Sequence, residues 1–197
     1  MPTNPVAMRF ERETQRLLLR PYRHEDWRDI HRYASLPDFS RYDVWGPNSA
    51  EDTKAFVAFC IAQLAAVPIS RYDFAVAVKP DGVVIGGCTL KLDDGDGSAA
   101  GLGYAINPAY QGRGFATEVA SALIGFAFAE LDLSEVYAEC DTRNLASRRV
   151  MEKVGMQLVT VILRHQEIRG VMTDTYRYAI RRDGKAPEPE LTVDAQV

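Results

Sequence analysis

Gln111-Gly112-Arg113-Gly114-Phe115-Ala116 is the stretch on which the reading of the chain turns. A short apolar run at 102–106, Leu-Gly-Tyr-Ala-Ile, leads into it through Asn107-Pro108-Ala109-Tyr110 and reads as a strand. A helical pattern over 115–131 leaves it. A glycine-bearing loop at the start of a helix suits an anion. The first-turn N–H groups have no intrahelical partner, and the helix dipole favours negative charge there. Gly112 and Gly114 remove the Cβ atoms that would keep a phosphate away from those groups. Arg113 adds a permanent charge that can fork onto a phosphate. These residues point to a phosphate-bearing ligand gripped by backbone. The loop alone also fits a turn that merely joins a strand to a helix.

The loop is not a Walker A loop, because no Gly-Lys-Ser/Thr follows, and Thr117 stands where a dinucleotide fingerprint needs its third glycine. Gln111-x-x-Gly114-x-Ala116 resembles the Gln/Arg-x-x-Gly-x-Gly/Ala signature of the GNAT acyltransferase superfamily. Two further blocks agree in order. Asn144-Leu145-Ala146-Ser147 followed by Met151-Glu152-Lys153-Val154-Gly155-Met156 is similar to the Asn-x-x-Ser…Glu-Lys-x-Gly-Phe block of the branch that acetylates N-termini of ribosomal proteins, the RimJ/RimL type. Thr14-Gln15-Arg16-Leu17-Leu18-Leu19-Arg20-Pro21 resembles that branch's opening strand. The resemblance runs over 14–181.

The chain has 197 residues, enough for one domain with a sizeable core. Its composition, 47% hydrophobic and 25% charged, is ordinary for a soluble globular protein. A formal charge of −4 without a long basic block argues against a general nucleic-acid binder. Met1-Pro2-Thr3-Asn4-Pro5 lacks the basic region and apolar core of a signal peptide, and no run reaches transmembrane length. Cys60, Cys88 and Cys140, odd in number and widely spaced, fit reduced thiols and a cytoplasmic location. His24, His31 and His165 have no metal-ligand spacing, so no metal is expected.

Residues 1–11 are expected to be flexible, 12–182 to form the single acyl-CoA N-acyltransferase domain, and 183–197 a disordered tail. Outward from the loop, the patterns predict a first strand at 16–20, a helix over 24–34 and a loop-rich link over 36–49. Ser49 is expected to cap a helix over 50–66, with Asp52 completing a capping box. Strands at 74–78 and 83–90 flank the turn Lys79-Pro80-Asp81-Gly82. The acidic turn over 91–99 lacks the downstream ligands of an EF-hand and reads as a solvated loop. A strand at 135–139, a helix over 144–154 and a closing hairpin of 156–167 with 171–180 complete the pattern. The fold class is α+β, a mixed and mostly antiparallel central sheet flanked by helices. The resemblance adds a splay between two parallel central strands, at 102–106 and 135–139. Pro108, with no N–H to donate, marks a place for pairing to stop.

What the resemblance implies for function is direct transfer of an acetyl group from acetyl-CoA, as co-substrate, to a primary amine. The acceptor it suggests is a peptide or protein N-terminus, with a polyamine, amino-sugar or amino acid as the alternative. It implies a cofactor site of Ile106, Asn107, Gln111, Gly112, Arg113, Gly114, Phe115, Ala116, Thr117, Asn144, Ser147 and Lys153, with strand groups near Ile106 and Asn107 bonding the pantetheine arm. It admits a homodimer. Asn144, Ser147 and Met151 share a helix face. Many relatives carry a general-acid tyrosine where Met151 stands. A thioether has no proton to give, and the branch assigns that role to the serine matching Ser147. Glu139, Glu167 and Asp174 are the candidate bases, with Glu139 beside the splay, and His165 is a weaker one. Gly101 replaces the branch's central-strand glutamate, which leaves acceptor selection open. The loop Tyr42-Asp43-Val44-Trp45 and the hairpin around Lys79 are expected to shape the acceptor pocket. A non-catalytic acyl-CoA sensor and a doubly wound nucleotide-binding module remain as other classes. The second would need repeated strand–helix units, and one is present.

Overall fold

The computed structural model describes residues 10–95, 97–187 and 193–194. The expectations for 1–9, Asp96, 188–192 and 195–197 lie outside the described residues. Among the described residues nine strands form one sheet in the order β1-β2-β3-β4-β5-β6-β8-β7-β9. They are β1 (Arg12–Glu13), β2 (Leu17–Pro21), β3 (Arg71–Val78), β4 (Val84–Leu92), β5 (Ala99–Ile106), β6 (Glu135–Asp141), β7 (Gln157–Ile168), β8 (Val171–Arg181) and β9 (Val193–Asp194). All neighbours are antiparallel except β5 with β6 and β7 with β9. Four α-helices flank the sheet: α1 (Trp27–Ala34), α2 (Ala50–Ala65), α3 (Phe115–Ala129) and α4 (Leu145–Lys153). Among the described residues no helix is long and apolar enough to cross a membrane.

Alternation along the strands builds two cores. Phe74 and Val76 on β3, Leu102 on β5 and Val136 on β6 join Val119, Leu123 and Phe126 of α3 and Met151 of α4 on one face. Ala75 and Val84 meet Ile30 and Tyr33 of α1 and Val57 of α2 on the other. The helix α2 starts where the capping box sets it. Asp52 N donates to Ser49 Oγ (3.1 Å), and Ser49 N donates to Asp52 Oδ2 (3.0 Å). Phe10 is buried and rests on the Tyr72 ring, so the expected flexible segment stops short of it. In the expected tail, Val193–Asp194 pairs with Ile162 and Leu163, using the open edge of β7.

The splay is present, and it begins earlier than the proline suggested. Parallel pairing is limited to Ala99↔Glu135, Ala100↔Val136 and Gly101↔Tyr137. The antiparallel ladder between β4 and β5 continues to Gly86↔Ile106. Pro108 therefore ends pairing with β4, while β5 parts from β6 at Leu102. The result is a slot through the sheet, walled by 102–106 on one side and 138–141 on the other.

Candidate active site

The loop between β5 and α3 is shaped as an anion seat. Gly112 (φ 74°) and Gly114 (φ 81°) both take left-handed conformations, which residues with a Cβ adopt at a cost. Gly114 is the N-cap of α3, and no side chain caps that helix. The N–H groups of Phe115, Ala116 and Thr117 are thus left for an external acceptor. Gln111 and Arg113 secure the loop from within. Gln111 Nε2 donates to Ile106 O (2.9 Å), and Arg113 Nη2 donates to Ala109 O (3.1 Å). The Arg113 guanidinium also lies 5.4 Å from the Tyr110 ring centre.

Sequence reasoning missed a second arginine there. Arg16, just before β2, sends Nη1 to Arg113 O (2.8 Å) and Nε to Glu118 Oε2 (2.7 Å). Its guanidinium lies 4.5 Å from the Phe115 ring centre. A Cβ on Gly114 would come within 3.5 Å of Arg16 Nη2, so this charge borders the anion seat. Thr14 Oγ1 and Arg16 N also donate to Glu118 Oε1 (2.6 and 2.9 Å). Burial pulls the Glu118 carboxyl upward, but these donors outweigh it and hold it below its ordinary range.

Beyond the loop, β5 offers main-chain groups to the slot. Asn107 N donates to Ile85 O (2.7 Å) on the β4 side. Strand alternation then turns the N–H and C=O groups of Tyr104 and Ile106 toward the slot. Of these, Ile106 O already accepts from Gln111 Nε2. Asn107 has local partners: its N–H is used by Ile85, its C=O accepts from Tyr110 N (2.8 Å), and its Oδ1 caps Ala109 N (3.0 Å). Asn107 builds the turn, and Tyr104 stands with Ile106 on the slot wall.

Across the slot, α4 opens on Asn144, whose Oδ1 accepts from Ser147 N (3.1 Å). Ser147 Oγ lies 2.9 Å from Tyr104 Oη, and Tyr104 Oη donates to Ser147 O at 3.1 Å. This bridge joins β5 to α4 over the slot's mouth. Burial pushes the Tyr104 phenol up to about 12 and the Cys140 thiol up to about 11. Neither ionises at neutral pH, so Cys140 is a poor nucleophile. Met151 is buried in the core beneath. Lys153 is exposed at the far end of α4, about 9 Å along the axis from Ser147.

Glu139 lies on the opposite face, because β6 residues alternate: Cys140 faces α4, and Glu139 faces away with Tyr137. Arg177 on β8 grips it at 2.7 Å. Tyr137 Oη donates to Asp93 Oδ1 (2.8 Å), and its ring covers Gly101, where a Cβ would approach to 3.1 Å. The missing strand glutamate therefore leaves room that Tyr137 fills. A concavity of about 190 Å³ lined by Asp93, Glu135, Tyr137 and Arg177 opens on this face. Asp174 accepts from Arg164 N (2.9 Å) and belongs to the closing hairpin. Glu167 is exposed near that hairpin's tip. His165 Nδ1 is buried without a hydrogen-bond partner among the described residues. At the tip, Arg169 donates to Pro37 O (2.6 Å) and Ser40 Oγ (2.9 Å), tying the hairpin to the link between α1 and α2. Arg143, paired with Asp141, lies 6.0 Å from the Tyr42 ring centre of the same link.

Known proteins share this arrangement. Residues 16–157 match the acetyltransferase (GNAT) domain family model. An N-acetyltransferase of Bacillus subtilis, YnaD, is 32% identical over 144 residues, covering 73% of this chain and 81% of that protein. The crystal structure of a GNAT-family acetyltransferase from Bacillus anthracis superposes with a TM-score of 0.78 at 28% identity, over 88% of this chain and 99% of that one. RimL, the ribosomal L7/L12 α-N-protein acetyltransferase solved with coenzyme A, shares the fold at a TM-score of 0.77 and 18% identity, over 87% of this chain and 97% of its own. An uncapped, glycine-opened helix beside a splayed parallel strand pair, matched by a family model over most of the chain, makes this protein a member of the GNAT acetyltransferase family.

Proposed function

We propose that this acetyltransferase carries an acetyl group from acetyl-CoA directly onto a peptide N-terminal amine through the slot between β5 and β6. The uncapped start of α3 beside that slot carries the reading, since it places an anion seat where a phosphate-tethered arm can enter the sheet. Gly112, Arg113, Gly114, Phe115, Ala116 and Thr117 bind the pyrophosphate, and the free groups of Tyr104 and Ile106 bind the arm. The acceptor nitrogen attacks the thioester carbonyl carbon from the Glu139 face. A C–N bond forms, the C–S bond breaks with its electron pair going to sulfur, the nitrogen loses a proton and the sulfur gains one. Glu139 receives the amine's proton through water, and the sulfur departs as a thiolate hydrogen-bonded by Ser147 and takes its proton from water.

The peptide reading draws on the Thr14–Pro21 and Asn144–Met156 resemblances to the ribosomal branch. A small-amine reading is favoured by Arg169, which ties the hairpin tip to Pro37 and Ser40 and so confines the approach on that side. Acetyl-CoA turnover against a panel of peptides with free N-termini, polyamines, amino-sugars and amino acids separates the two. Product on peptides supports the first reading. Product on small amines alone contradicts it.

A further inference from the structure

The hydroxyl of Tyr104 has no role in the phosphate seat or in the acceptor face, yet it is the one group of β5 that reaches across the slot to Ser147. We propose that Tyr104 is a positioning residue for the transfer step: its hydroxyl sets the direction in which Ser147 Oγ–H points. This rests on the reading that Ser147 faces the sulfur.

The argument is one of hydrogen counting. Tyr104 Oη carries one hydrogen and has two acceptors within reach, Ser147 O at 3.1 Å and Ser147 Oγ at 2.9 Å. When that hydrogen goes to the main-chain oxygen, the 2.9 Å contact is made by the serine's own hydrogen, which then points back at β5. When it goes to Oγ, the serine hydrogen is released from β5 and is free to turn to Cys140 Sγ, its hydrogen-bond neighbour at rest, or to an acceptor in the slot. A thiolate developing in the slot favours the second arrangement, because it accepts the released hydrogen. The chain Tyr104 Oη–H to Ser147 Oγ–H to sulfur then polarises as a unit. No proton leaves Tyr104. Burial keeps its phenol neutral, so it serves as donor throughout. Asn144 holds the other side of the serine through Ser147 N, so the hydroxyl swings about a fixed backbone. Met151, one turn on, is buried and has no hydrogen to offer in place of either hydroxyl.

The test is a double-mutant cycle with Tyr104→Phe and Ser147→Ala, each of which deletes a hydroxyl and little else. Turnover is measured at saturating acetyl-CoA and amine, and acetyl-CoA affinity by calorimetry. Tyr104→Phe should lower kcat on the order of tenfold, the scale of one hydrogen bond, and leave the dissociation constant of acetyl-CoA within about twofold. In the Ser147→Ala background the same change should have no further effect on kcat. A slow Ser147→Ala enzyme with a fully active Tyr104→Phe overturns the positioning role alone, as do two losses that simply multiply. A fully active Ser147→Ala overturns the serine's place at the sulfur, and this inference with it.

Discussion

Arg16 and Glu118 lock the start of β2 to the first turn of α3: Arg16 Nε and Nη2 both reach Glu118 Oε2 at 2.7 Å, and Arg16 N donates to Oε1 at 2.9 Å. The same guanidinium holds the carbonyl of Arg113. A carboxylate one turn inside the helix would repel a phosphate placed at its start. Arg16 cancels that charge and fixes the loop whose N–H groups the proposal gives to the phosphate.

Arg16→Ala should therefore weaken acetyl-CoA binding by roughly 5- to 50-fold, the scale of one or two charge-assisted hydrogen bonds, while kcat at saturation changes little. Titration calorimetry beside steady-state kinetics checks the split. A loss confined to kcat would remove Arg16 from the binding loop.

The Glu118 carboxyl gives this lock a pH signature. Its folded pKa is held down by Thr14 and Arg16, against an ordinary value of about 4.3. Its contribution to stability is thus complete above that value and disappears as pH falls through the lower folded value. Glu118→Gln should melt earlier than the parent at neutral pH, with the two melting temperatures converging as pH falls below the ordinary carboxylate value and through the lower folded one. Melting curves across that range test the sign. A gap that widened with acid would contradict it.

How much of this was legible in the sequence follows the range of the interactions involved. The glycine-opened start of α3 could be read because its parts lie within six residues, and Gly112 and Gly114 state their backbone conformation directly. The capping box of Ser49 and Asp52 was legible for the same reason. Arg16 and Glu118, 102 positions apart, and Tyr104 and Ser147, 43 apart, meet only once strand register is fixed. No local pattern marks such pairs. The splay was expected from family resemblance, but its starting point depends on where β6 ceases to pair, which Gly101 and Tyr137 decide across the sheet. That Asn107 turns its N–H to β4 while Tyr104 and Ile106 face the slot is a matter of strand phase, which the sequence does not state. Glu139 was identified as a carboxylate beside the splay, while its pairing with Arg177 required the order that places β8 next to β6.

The central claim is that acetyl-CoA is held by the glycine-opened start of α3, and titration calorimetry of acetyl-CoA into Gly114→Asp tests it most directly. Gly114 is exposed and, among the described residues, its side is bordered only by Arg16 Nη2, so the core beneath should survive the change. The positive φ disfavours any side chain there, and the carboxylate sets a negative charge where the proposal puts the pyrophosphate. The account predicts a variant whose melting transition matches the parent's and that gives no measurable binding heat. Acetyl-CoA affinity equal to the parent's in that folded variant would contradict it.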